Sequence, residues 1–191
     1  MGVPFGSMGN LTKVNPVGLD VALDIIQRKL YELKDLWEVD LDGYPRCQIL
    51  LREDKKTIEA YLGNDEYSGS LVFAEENKFF FLAGESVEHV SDVFYKTTIE
   101  VYFILNLKEI YPNVEHRADE EVRVDVLNIL NTISGINVVK IEHNTDKVFA
   151  RFNNRISQNY EHEYTDDMQP YHYFKVLIDI LEYDINAQSC Y

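Results

Sequence analysis

The chain has very little cysteine: Cys47 and Cys190 are the only two in 191 residues. Their number and separation exclude a disulfide framework. Cys47 lies in a strand-like run and reads as a small core residue. Cys190 reads as exposed, and this usage fits a reducing cytoplasm. Cations are also scarce. Eighteen Lys and Arg face 33 Asp and Glu, a formal net charge of −15. That average field repels a phosphate backbone and an anionic membrane surface, so neither is an expected partner. Long apolar runs are missing, and none reaches membrane-spanning length. The opening "MGVPFGSMGN" has no basic region followed by an apolar stretch, so a secretion signal is not expected. Gly2 does not open a myristoylation motif, because Gly6 stands where Ser or Thr is needed.

Catalytic signatures are missing too. The five histidines, at positions 89, 116, 143, 162 and 172, do not recur at the spacing of a metalloprotease helix or a zinc finger. No glycine-rich phosphate loop occurs, and "GESVEHV" lacks the Gly-x-Ser-x-Gly pattern of a nucleophile elbow. The stretch "YEHEYTDD" gathers Glu161, His162, Glu163, Asp166 and Asp167. A hard cation takes such carboxylates, but the alternating ligands and turn glycine of a calcium loop are not there. A solvated acidic loop is the plainer reading. The expectation is a protein that is not an enzyme and carries no cofactor or metal.

What is present is apolar area and pattern. The chain is 46% hydrophobic, enough for a sizeable core, with 13 Tyr and 10 Phe. Those aromatics suit strands, and Tyr equally suits surfaces that a partner covers. Residues 1–17, rich in Gly, Pro and Asn, read as an arm. Leu19, Leu23, Ile26, Leu30, Leu33 and Trp37 recur at helical spacing and predict a helix over 18–37. "DLDGYP" breaks it. "RCQILLRE" (46–53) and "TIEAYL" (57–62) alternate and predict a hairpin. A second hairpin is predicted over 70–83, turning at "EEN", then a loop with a short helix over 84–95. "KTTIEVYFILNLKEI" is the clearest strand, its Thr97, Ile99, Val101, Phe103, Leu105 and Leu107 forming one face.

A helix is predicted over 117–135, with Asp119, Glu120 and Glu121 loading its first turn as the dipole prefers. "NVVKIEH" and "DKVFARF" predict a hairpin around Asn144–Thr145, and 153–170 a long polar connection. The closing strand is "PYHYFKVLIDILEYDI", with Phe174, Val176, Ile178 and Ile180 on one face. Helices between strands are too few for a doubly wound sheet. The expected fold is α+β: a mainly antiparallel sheet with two helices packed on one face. Its domains are an arm (1–17), a single domain (18–185) and a tail (186–191).

The segments "LDVALDIIQRKLYELKDLW", "YPRCQILL", "NDEYSGSL", "IEVYFIL", "DEEVRVDVLNIL" and "YFKVLIDILEY" follow in an order that carries a family likeness. Over residues 18–185 the chain resembles the tail terminator and tail-completion proteins of tailed bacteriophages. The resemblance implies a structural virion protein of the neck or tail, assembled in the host bacterial cytoplasm. It implies a homo-oligomeric ring, a hexamer as in long-tailed phages or a dodecamer as in short-tailed phages with stacked neck rings, crAss-like viruses included. Portal, neck and tail proteins are the implied neighbours, with DNA passing through the lumen unbound. The longer arm and the 153–170 insertion depart from compact members. They leave ring size and station open and imply arms threaded between neighbours.

The Tyr-rich second face of the last strand makes Tyr171, Tyr173, Leu177, Leu181 and Tyr183 the candidate subunit interface. Cover by the chain's own 153–170 connection is the alternative. Two other functional readings stand beside the ring. One is an acidic bacterial α+β adaptor or immunity-like binding module using the same surface on a single partner. The other is a metal-dependent hydrolase using the 161–167 acidic cluster, with Ala replacements at Glu161, His162 and Asp166 as its test.

Overall fold

The computed structural model describes residues 8–52, 55–64, 66–68, 77–143, 145–151 and 169–188. They form an α+β layer: a seven-stranded, mostly antiparallel sheet with the longer helices on one face. The elements are α1 (Leu19–Tyr31), α2 (Leu33–Trp37), β1 (Leu41–Arg52), β2 (Lys55–Gly63), β3 (Glu66–Ser68), β4 (Asn77–Ser91) and β5 (Phe94–Asn106). Then follow α3 (Leu107–Ile110), α4 (Asp119–Leu130), β6 (Ile136–Glu142), α5 (Thr145–Val148) and β7 (Tyr171–Asp184). The strand order is β3-β2-β1-β4-β5-β7-β6, and only β1 and β4 run parallel.

The helices form where apolar spacing and end charges agree. In α1, Asp20 lies in the first turn and Arg28 and Lys29 in the last, both favourable to the macrodipole. Its Leu23, Ile26 and Leu30, with Leu33 and Trp37 of α2, are buried. Helix α4 contributes Val122, Val126 and Leu130 to the same cluster. The floor beneath them is the alternating face of β4, β5 and β7. Phe79, Phe103 and Phe174 stand in one cross-strand row, with the last two rings stacked 4.7 Å apart. Phe81, Val101 and Val176 make the next row.

Three predicted elements differ from the structure. The helix ends before "DLDGYP" as expected, but the strand predicted from Arg46 already starts at Leu41, and a register shift between Gly43 and Arg46 accommodates Pro45. Residues 84–95 are not a loop with a helix but the outer half of the β4–β5 hairpin, turning at Asp92 and Val93. Both faces of β4 are exposed over 85–91, so no apolar alternation marks the strand. "DKVFARF" does not pair with β6. Residues 145–148 turn as α5, and β6 pairs with β7 instead. The first half of the predicted 70–83 hairpin lies outside the described residues, as does most of the 153–170 connection.

The ends of the described chain fold back on the domain. Asn10 bridges Gly43, and Gln27 Nε2 donates to Asn10 Oδ1 (2.8 Å), Leu11 O (2.9 Å) and Gly43 O (3.2 Å). Val17 bridges Gln188, and Gly18 N–H donates to Ala187 O at 2.9 Å. Residues 8–17 and 185–188 are therefore joined to each other and to the sheet, not extended away from it.

Candidate subunit interface

Strand β7 decides where each candidate residue lies. Its even positions, His172, Phe174, Val176, Ile178 and Ile180, are all buried on the helix face. Tyr171, Tyr173 and Leu177 take the second face, with Lys175 among them. The alternation then breaks. Tyr95 pairs with Tyr183 and Thr97 with Ile180, so β7 holds one extra residue. Such a bulge turns the following side chains over. Tyr183 consequently joins the helix-side cluster, 9% exposed, its ring 6.2 Å from that of Tyr95. Leu181 sits at the bulge, 53% exposed, and its N–H donates to Gly135 O. The five predicted residues are therefore not one patch: three share a face, one faces the helices and one sits at the bulge.

The second face is a core of its own. Tyr44, Cys47, Ile58, Ala60, Phe80, Leu82, Tyr102, Ile104, Val148, Phe149 and Tyr173 form it. Phe80 and Tyr102 stack with centroids 4.9 Å apart. Phe149 meets Tyr173 edge-on at 5.7 Å, leaving Tyr173 6% exposed. Cover for Tyr173 thus comes from residues just before the predicted 153–170 connection. Cys47 is a core residue as expected, and burial pushes its thiol up to about 12.

Next to this core runs a chain of charges that crosses four strands. Glu100 of β5 accepts from Tyr102 Oη at 2.5 Å, Arg151 Nη1 at 3.1 Å and Lys175 Nζ at 3.2 Å. Lys175 also meets Glu142 Oε2 of β6 at 3.1 Å, and Lys140 meets Glu142 Oε1 at 2.6 Å. Arg151 Nη1 reaches past Glu100 to the Ala83 carbonyl of β4 at 2.8 Å. Burial alone would raise the Glu100 carboxyl. The Tyr102 hydroxyl and the two cations outweigh it and hold the group below the usual range. The Lys140 ammonium does the same for Glu142, against its desolvation and with help from Lys175. Burial and the Glu100 carboxylate push the Tyr102 phenol up, so it is a fixed donor at neutral pH.

Sequence reasoning missed this network. Glu100 and Lys175 look like ordinary outward residues of amphipathic strands and lie 75 positions apart. The available signal was the apolar company on the same face, Leu177 and Tyr173, which marks that face as covered.

Surface apolar side chains remain on the outer hairpin and near it: Val87, Val90 and Leu181 are all exposed. Among the described residues, no group of three or more His, Cys, Asp and Glu side chains is placed to hold a metal ion. The 161–167 cluster lies outside them. No helix among the described residues is long and apolar enough to cross a membrane. Comparison with protein-family models gives no match, and comparison with curated proteins gives none.

Proposed function

We propose that the chain is a structural virion protein, a ring-forming subunit of a phage neck or tail that joins portal-side proteins to the tail. The observation that carries this reading is the β4–β5 hairpin. Beyond Gly84 its β4 half is exposed along its whole length, bearing Val87 and Val90, while its β5 half pairs with β7 and keeps Tyr95 against the helix-side cluster. An outer strand exposed on both faces gains little from water, and packing against a neighbouring subunit supplies the missing cover. The order of elements that underlies the resemblance folds as one α+β layer, which supports the same reading. Assembly, not chemistry, is then the mechanism: cores pack side by side, hairpins fill the joints, and an acidic lumen lets DNA slide without adhering.

The net charge of −15 favours a second reading, an acidic adaptor that docks one basic partner, because like-charged copies repel. Sizing of the purified chain by light scattering, alone and with candidate neck proteins, separates the two. A ring, or entry into one with neck proteins, is expected. A monomer that enters no virion and binds a single basic partner overturns the ring. The lumen is tested separately: a basic or neutral lining in an image of the assembly rejects the sliding role.

A further inference from the structure

We propose that residues 145–151 are a strap that opens as a unit while the sheet stays folded, and that Arg151 is its latch. Among the described residues, three side chains of the strap reach the rest of the fold. Val148 and Phe149 are buried in the second-face core, Phe149 on the Tyr173 ring, and Arg151 lies across β5 to the Ala83 carbonyl of β4. Its backbone contributes little. The four residues of α5 are far below the length, roughly 12–15 residues, at which a helix stands alone in water. Among the described residues, the turn after it closes on a long hydrogen bond, Ala150 N–H to Lys147 O at 3.5 Å.

The two halves of the latch are held unequally. The sheet half is anchored whether or not the strap is down: Glu100 keeps its hydrogen bond from Tyr102 and its ion pair with Lys175, which in turn holds Glu142. The strap half is a single guanidinium, and its Nη1 makes both the Glu100 contact and the Ala83 contact. Losing Arg151 therefore leaves no unpaired carboxylate in the sheet, so the strap can lift without disturbing the strands. Lifting bares Tyr173 and the side of the second-face core beneath Phe149. The inference concerns one chain and holds whether or not that chain forms a ring.

Native-state amide hydrogen exchange on the full chain tests it. In Arg151→Gln, the amides of Val148 and Phe149, which burial shields, should exchange at least about tenfold faster, while those of Val101 in β5 and Val126 in α4 keep their rates. Phe149→Ala, which leaves the ion network intact, should give the same division. The strap is overturned if its amides keep the wild-type rate in both variants. It is equally overturned if Val101 and Val126 accelerate together with the strap, which would make opening global.

Discussion

At position 175 a lysine that is 4% exposed stands between two carboxylates, with the Tyr102 ring 5.5 Å from its ammonium. Such a group is tolerable only while its partners remain charged. Replacing Glu100 by Gln leaves Lys175 with Glu142 alone and weakens the hold on Arg151. A loss of about 1–3 kcal/mol in chemical denaturation is expected, with an unchanged denaturant slope. The same carboxylates make stability depend on acid. Glu100, Glu142 and Asp20 are all held below their ordinary range, Asp20 by Arg46 and Lys13 against its own burial. A depressed carboxyl stabilises fully above its unfolded value, about 4. That stabilisation is lost as pH falls through the folded value. Thermal melts should therefore show the midpoint dropping below pH ~4, with a shallower drop in Glu100→Gln.

Gly84 is a second residue-scale case. A Cβ there would lie 2.5 Å from the Thr98 carbonyl oxygen, and backbone cannot swing away as a side chain can. Gly84→Ala should cost about 1–3 kcal/mol by denaturant titration. An unchanged midpoint would show that the β4–β5 pair can shift there.

At the scale of elements, two cores sit back to back on one sheet and differ in how they are closed. The helix-side core is sealed by α1, α2 and α4, and its floor residues come from strands paired on both sides. Phe174→Ala there should cost about 3–5 kcal/mol. The second-face core includes the strap, whose interactions can be lost by local opening. The cost of any strap substitution is capped by that opening free energy. Phe149→Ala should consequently cost less than Phe174→Ala although both rings are buried, and parallel denaturant titrations of the two variants measure the difference. The alternation of β5 and of β7 up to Ile180, and the stripe of α4, were legible in sequence because one face of each meets a continuous apolar layer. The bulge that turns Tyr183 toward the helices was not legible, since one extra residue in a pair depends on the partner strand. For the same reason α5 and the turn after it read as a strand: "DKVFARF" does not show that the adjacent Val148 and Phe149 both enter the second-face core.

For the whole molecule, charge and shape pull in different directions. An excess of 15 negative charges keeps copies apart, while Val87 and Val90 on the hairpin and Leu181 at the bulge ask for cover. If copies assemble, salt should promote it, because screening shortens the repulsion from roughly 30 Å at 0.01 M to 10 Å at 0.1 M. Light scattering over that range should show mass rising with salt. An adaptor bound to a basic partner should show the reverse, its complex weakening as salt rises. Replacing both Val87 and Val90 by Asp should reduce ring formation. The monomer's melting point should stay nearly unchanged, since exposed substitutions move stability by only about 0.5 kcal/mol.

By itself the sequence determined the layer type, the two principal helices, the helix-facing side of β5 and β7, and the sign of the surface field. Each is written locally, in a period of side chains or a sum of charges. The tertiary structure decided the rest. It set which strands neighbour one another, brought Glu100, Glu142, Arg151 and Lys175 into one network, and divided the five interface candidates among two faces and a bulge. The reason is physical: register and cross-strand contact belong to pairs of distant segments, and no single segment carries the information about its partner.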